Sequence, residues 1–222
     1  MAEQSDQDQD QEIQTHTAPV RSDELHEFRE LISRYGVSVG TGLALALILI
    51  FGLSTYRNYQ AGQKEQAALA LAVSTTPDDF KNVLSQFEKT SEAPIAALAL
   101  ASSHFDNGDY QAALAAYKDF VVRYPAHPMA DSARLCQAQC VEAAGQPEEA
   151  LQAFTELRDS MPEGHFLRPQ ADLGRGRCLE QLERWDEAKA LYEEALASYP
   201  DSAWINQVEV SLRSVKKAMS AN

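Results

Sequence analysis

Between Arg34 and Arg57 the chain carries no charged residue, and residues 36–56, GVSVGTGLALALILIFGLSTY, are almost wholly apolar. As a helix, about 22 residues rising about 1.5 Å each reach about 33 Å. That matches a bilayer hydrocarbon layer of about 30 Å. Inside lipid every backbone N–H and C=O needs a partner within the segment, a demand that a single helix meets. A buried helix of a soluble core is usually shorter and keeps a polar stripe. The sequence therefore predicts one transmembrane helix at residues 36–56, with a short tail before it and a large domain after it.

The tail, residues 1–21, is Gln, Asp, Glu, Ser and Thr with almost nothing apolar. It cannot bury enough surface to offset its chain entropy and reads as disordered. Over residues 22–35, Leu25, Phe28, Leu31 and Ile32 recur at helical spacing behind a capping Ser22 or Asp23, which predicts a juxtamembrane amphipathic helix. The apolar run begins too late for a cleavable secretory signal, follows an acidic tail and precedes no A-x-A site, so it should remain as an anchor. Arg21, Arg29 and Arg34 precede the span, while Arg57 and Lys64 come after it. This slight excess favours a cytoplasmic N-terminus. Gly36, Gly40 and Ala44 make a small-residue ridge of the kind that lets membrane helices pack closely.

The net charge of −14 and the lack of a Lys/Arg cluster argue against a nucleic-acid partner. Three cysteines, Cys136, Cys140 and Cys178, make no disulfide framework and read as small buried hydrophobes. Ala, Leu, Glu and Gln dominate the C-terminal part, which points to helix.

After Arg57 the helix should continue into water, and residues 57–93 should connect the span to the C-terminal domain. Thr76-Pro77-Asp78-Asp79 is a start signal, with a capping hydroxyl, Pro at the first helical position and acids in the first turn. A helix is predicted from Pro77 to about Glu88. From Pro94 onward the chain repeats itself through residue 200. With Gly108, Gly145 and Glu183 set level, Ala113, Ala150 and Ala188 align, as do Tyr117, Phe154 and Tyr192, and Phe120, Leu157 and Ala195. Pro125, Pro162 and Pro200 close the three copies. Each column has a physical reason: the turn residue ends one helix, the Ala permits close packing, the aromatic fills the gap and the Pro stops the second helix.

This pattern resembles the tetratricopeptide repeat, whose period is about 34 residues. The copies here run a few residues longer, with the extra turn before the first helix of the second and third copies. The small residue of the first helix is kept as Ala101, Ala138 and Gly176. The large aromatic four positions earlier is replaced by Ala97, Arg134 and Asp172. The resemblance implies an all-α fold, a right-handed solenoid of antiparallel helix pairs. Residues 201–222 should cap it with a helix carrying Trp204, Val208, Leu212 and Val215 at helical spacing.

The organisation of tail, span, emerging helix and small repeat domain resembles the YfgM-type family, and PIAALALASSHFDNGDYQAAL is the closest local match. The resemblance implies a bacterial inner-membrane protein, single-pass, with periplasmic repeats, ancillary to the Sec translocon and to a periplasmic chaperone. Its partners would then be translocon subunits, a chaperone or nascent envelope proteins. The repeats from Asn107 are equally similar to those of periplasmic coordinators of outer-membrane assembly, which implies a structural bridging role instead.

No catalytic motif, dinucleotide turn or metal-ligand pair is visible in the sequence, so an enzyme, a cofactor, a metal site and a small-molecule substrate are not expected. The histidines are scattered and read as surface or packing residues. Carrying over the repeat's groove positions gives Ile95, Leu98, Ser102 and Phe105, then Leu135, Gln139 and Glu142, then Leu173, Arg177 and Glu180. Leu98, Leu135 and Leu173 are expected to form an apolar ladder with a polar margin, suited to a protein or peptide partner. Internal packing of Leu98 and Leu135 is the competing reading.

Overall fold

The computed structural model describes residues 22–221. The acidic tail lies outside the described residues, as do the side chains of Leu25, Phe28, Leu31 and Ile32 that define the predicted amphipathic face. Among the described residues the chain is entirely helical. The helices are α1 (Ser22–Val73), α2 (Pro77–Gln86), α3 (Ala93–Asp106), α4 (Tyr110–Arg123), α5 (Ala130–Ala143), α6 (Pro147–Ser160), α7 (Arg168–Gln181), α8 (Trp185–Ser198) and α9 (Ile205–Ala221). The chain divides between Asn58 and Tyr59 into two compact units.

The predicted juxtamembrane and spanning segments and the connection as far as Val73 belong to a single helix, α1. No proline occurs between Val20 and Thr76 to remove a helical hydrogen bond. Within Ser33–Val73, 41 residues, lies a window of mean hydropathy 2.2, none of it buried. It is the one helix among the described residues long and apolar enough to cross a membrane. The side chains of Leu43 to Phe51 that are large and apolar stand more than half exposed.

In the second unit, α2 begins as its sequence predicts. The Thr76 hydroxyl accepts from the Asp79 N–H, the Asp79 carboxylate accepts from the Thr76 N–H at 3.0 Å, and Pro77 opens the first turn. The Thr76 hydroxyl also donates to that carboxylate, and with the Thr75 and Thr76 N–H groups it lowers the Asp79 pKa from its ordinary value. From α2 to α9 each helix packs on the next in the chain. That nearest-neighbour arrangement is a solenoid of helix pairs, α3/α4, α5/α6 and α7/α8, closed by α9.

The columns seen in the sequence become the packing. Ala113, Ala150 and Ala188 are each 0 % exposed. The aromatics Tyr117, Phe154 and Tyr192 are buried, with Phe120, Leu157 and Ala195 behind them. The tight turns inside the copies share one geometry. The N–H of Asp109, Gln146 and Arg184 each reaches back five residues, to the carbonyls of His104, Val141 and Leu179. The N–H groups of Gly108, Gly145 and Glu183 reach back three, to Phe105, Glu142 and Glu180. These are Schellman caps, which need a left-handed residue. Its φ is +80° at Gly108, +78° at Gly145 and +57° at Glu183, where no glycine relieves the Cβ clash.

The turns between copies also recur. The imidazole Nδ1 of His127 and of His165 accepts from the N–H two residues on, at 3.2 and 3.3 Å, and Ser202 Oγ does the same for Trp204. The two histidines are thus local turn closers. The terminal helix buries Val208, Leu212 and Val215 against α8, whereas Trp204 precedes it and is 39 % exposed.

Candidate protein-interaction site

The first helix of each copy, α3, α5 and α7, carries the expected groove positions, and the structure sorts them into three kinds. Ser102 and Ile95 are exposed, Ile95 by 52 %. Phe105 is half-buried edge-on to Tyr110, ring centroids 5.3 Å apart, and Gln139 is half-buried. Leu98 is half-buried against the first core cluster. Leu135 and Leu173 are core residues, 3 % and 2 % exposed. Leu135 packs with Phe154 and Leu167, while Leu173 packs with Tyr192 and Val208.

The solvent-facing leucine ladder is therefore corrected. Leu135 lies in the seam with the next copy and Leu173 in the seam with the closing helix α9, and their repetition reflects the interface that every copy must bury on its neighbour.

The polar margin is largely engaged with itself. Arg177 on α7 donates from Nε and Nη2 to the two carboxylate oxygens of Glu142 on α5, at 2.7 and 2.6 Å. Gln181 adds a longer bond to the same carboxylate. This two-pronged pair is the strong form of an ion pair. Hydrogen bonding to Glu142 raises the Arg177 pKa further. Glu180 accepts a 2.6 Å bond from the Tyr192 hydroxyl, and burial with that neighbouring carboxylate drives the phenol strongly upward. The first-helix face thus carries a charged strap across α5 and α7, with Ile95 and Ser102 exposed and Phe105 half-buried at its α3 end.

Three features have partners that the sequence did not show. Gly174 and Gly176 sit inside α7, where glycine costs about 1 kcal/mol each relative to alanine. A Cβ at Gly174 would stand 2.6 Å from the Phe154 ring, and one at Gly176 would collide with the Tyr192 ring. The two glycines let α6 and α8 press their aromatics onto the α7 backbone. Second, Asp172 takes the place of the missing aromatic and is 4 % exposed. It accepts from Arg175 at 2.8 Å and from the Tyr199 hydroxyl at 3.2 Å, with Arg158 Nε at 3.6 Å. A buried carboxylate tolerates that position because two guanidiniums and a phenol surround it. Third, the exposed aromatics Phe166 and Trp204 lie in the turns after the second and third copies.

The cysteines are free thiols. Burial pushes Cys140 and Cys178 up to about 12 and raises Cys136 as well, so each packs as a small apolar group. Among the described residues no cluster of His, Cys, Asp and Glu could hold a metal ion. The span positions Gly40 and Ala44 lie on the exposed part of α1, and a Cβ at Gly40 would meet nothing.

Stacked antiparallel helix pairs with a side-chain-lined first-helix face define the class of helical-repeat proteins. The chain belongs to the Tetratricopeptide repeat-like domain family, which matches residues 29–217. No curated protein matches the chain. Among solved structures it is similar to a Rap protein complexed with competence and sporulation factor, at 16 % identity and a TM-score of 0.52. That match covers 73 % of this chain and 47 % of the Rap chain. It is also similar to a putative kinesin light chain with TPR-like repeats from Podosopora anserina, at 18 % identity and a TM-score of 0.49, covering 79 % of this chain and 94 % of that one. A thermophilic TPR protein of Thermus thermophilus matches at 19 % identity and a TM-score of 0.47, over 72 % and 82 % of the two chains. The likeness to the Rap protein supports the fold, and TPR-like repeats suggest a protein-binding scaffold.

Proposed function

We propose that the chain is a membrane-anchored scaffold of the bacterial envelope, holding protein partners beside protein translocation and periplasmic chaperoning. The reading rests on one combination: a repeat unit of a protein-binding family on the same chain as an apolar helix with no buried residue in its hydropathic window. The resemblance to the YfgM-type family supports the translocon-side partners, and the slight Arg excess before the span supports a cytoplasmic N-terminus. The binding groove is the first-helix face, entered through Ile95, Ser102 and Phe105, with Gln139 and the Glu142–Arg177 strap continuing it. Gly36, Gly40 and Ala44 serve helix packing in the membrane. The activity is binding rather than catalysis.

Photocrosslinkers at Ser102 and Phe105 in cells test the partner. Adducts with translocon subunits or nascent envelope proteins are expected. Adducts confined to cell-wall or outer-membrane assembly proteins would replace this reading with that of a bridging envelope coordinator, the role shared by similar repeats. Protease added to spheroplasts should digest the repeats; repeats that survive until lysis would reverse the orientation.

A further inference from the structure

We propose that the cleft between the last two inter-copy turns docks an extended apolar segment bearing Arg or Lys side chains. The proposal rests on the protein-binding reading of the repeats but places this contact away from the first-helix groove. The cleft has a volume of about 470 Å³, within the roughly 300–1,000 Å³ range of binding pockets, enough for two or three side chains. Phe166 and Trp204 line it together with Pro169, Tyr199 and Pro200. Phe166 is 69 % exposed, an unusual position for a large aromatic.

The walls are held in place before any partner arrives. His165 stacks on Phe166 with ring centroids 4.8 Å apart, and its Nδ1 is fixed by the Leu167 N–H. Trp204 is tied through its own N–H to Ser202. The Tyr199 hydroxyl is turned to Asp172, which leaves the ring as lining. Aromatic-lined grooves of this kind take extended segments, whose ordering cost is low.

Charge selects the occupant. The lining contains Asp201 and neither Lys nor Arg, and Glu163 flanks Gly164 in the same turn. The neighbouring Arg168 directs its Nε to the Arg158 carbonyl at 3.3 Å. A guanidinium or ammonium gains both from the aromatic faces and from the carboxylates. An anionic phospholipid surface, the other natural host for exposed Trp and Phe, meets the wrong sign of charge here.

The chain has two tryptophans, so Trp185→Phe leaves Trp204 as the sole indole reporter. In nanodiscs of phosphatidylcholine, an octapeptide alternating leucine, proline and arginine is titrated against the whole chain. The control peptide has glutamate in place of arginine. A saturable change in Trp204 emission with the arginine peptide alone is expected. Phe166→Ala should weaken binding about tenfold or more, as for an aromatic anchor. Asp201→Asn should weaken it about two- to fivefold, and added salt should weaken it too.

Equal binding of the glutamate peptide, no saturable change, or indifference to Phe166→Ala would overturn the proposal. So would an emission shift with phosphatidylglycerol vesicles that Phe166→Ala abolishes, which would make lipid the occupant. If Ser102 crosslinks persist while the peptide fails, the cleft assignment falls alone; if both fail, the scaffold reading falls with it.

Discussion

Glu183 adopts the left-handed backbone that Gly108 and Gly145 adopt in the other copies, with the same pair of cap bonds around it. Its side chain is exposed, so nothing in the packing asks for a glutamate there. Glu183→Gly should therefore raise the stability of the repeat unit by about 1 kcal/mol, the usual cost of placing an L side chain in that region. Urea unfolding monitored by circular dichroism measures it, and a lower midpoint would mean that the turn is not strained.

Gly176 presents the opposite case. Gly→Ala inside an exposed helix normally gains about 1 kcal/mol, but here the new methyl would collide with the Tyr192 ring. Overpacking typically costs about 1–3 kcal/mol, so Gly176→Ala should destabilise, while Gly40→Ala, with open space around it, should leave thermal unfolding of the repeats unchanged. A stabilised Gly176→Ala variant would refute the close contact between α7 and α8.

At the scale of helices, the alanine and aromatic columns were legible because each recurs in register and has a one-residue cause. The leucine column was equally legible and still misassigned. Periodicity shows that a position faces something apolar, and it does not say whether that is a ligand or the next helix pair. Leu135 meets the next pair and Leu173 the closing helix, so replacing each with Gln should cost roughly 2 kcal/mol or more, as loss of a buried leucine does. Leu98→Gln should cost less, since Leu98 is only half-buried. Chemical denaturation of the three single variants decides it, and three equal, small effects would restore the exposed ladder. The partners of Gly174, Gly176 and Asp172 were hidden for a different reason. Each breaks a local rule, and the compensation lies on another helix: a ring from α6, a ring from α8, or Arg158 and Tyr199. No single-chain pattern displays such pairs.

For the molecule as a whole, helices that touch mainly their chain neighbours make stability nearly a sum of local terms. Such arrays open in parts. Cys140 belongs to the core cluster shared by α3, α4 and α5, and Cys178 to the one shared by α5, α6 and α7. Both thiols are buried and held near 12, far above the pH at which disulfide reagents attack thiolate. In the native protein at neutral pH both should label much more slowly than a free peptide thiol. In moderate urea the two sites should label at different rates if the array opens piecewise. Identical rates at every denaturant concentration would show that the repeat unit unfolds as one block.

The aromatics of the second helices do not all seat in the same direction. Phe154 lies on Gly174 of the next copy's first helix, whereas Tyr192 lies on Gly176 and bonds Glu180, both in its own copy. Tenon and mortise therefore belong to different sequence copies at Phe154 and to one copy at Tyr192. For recombination this decides the cut. A chimaera joined at Pro162 would part Phe154 from its seat and one joined at Glu183 would part Tyr192 from its own, whereas junctions at Gly145 or Pro200 leave both pairs whole.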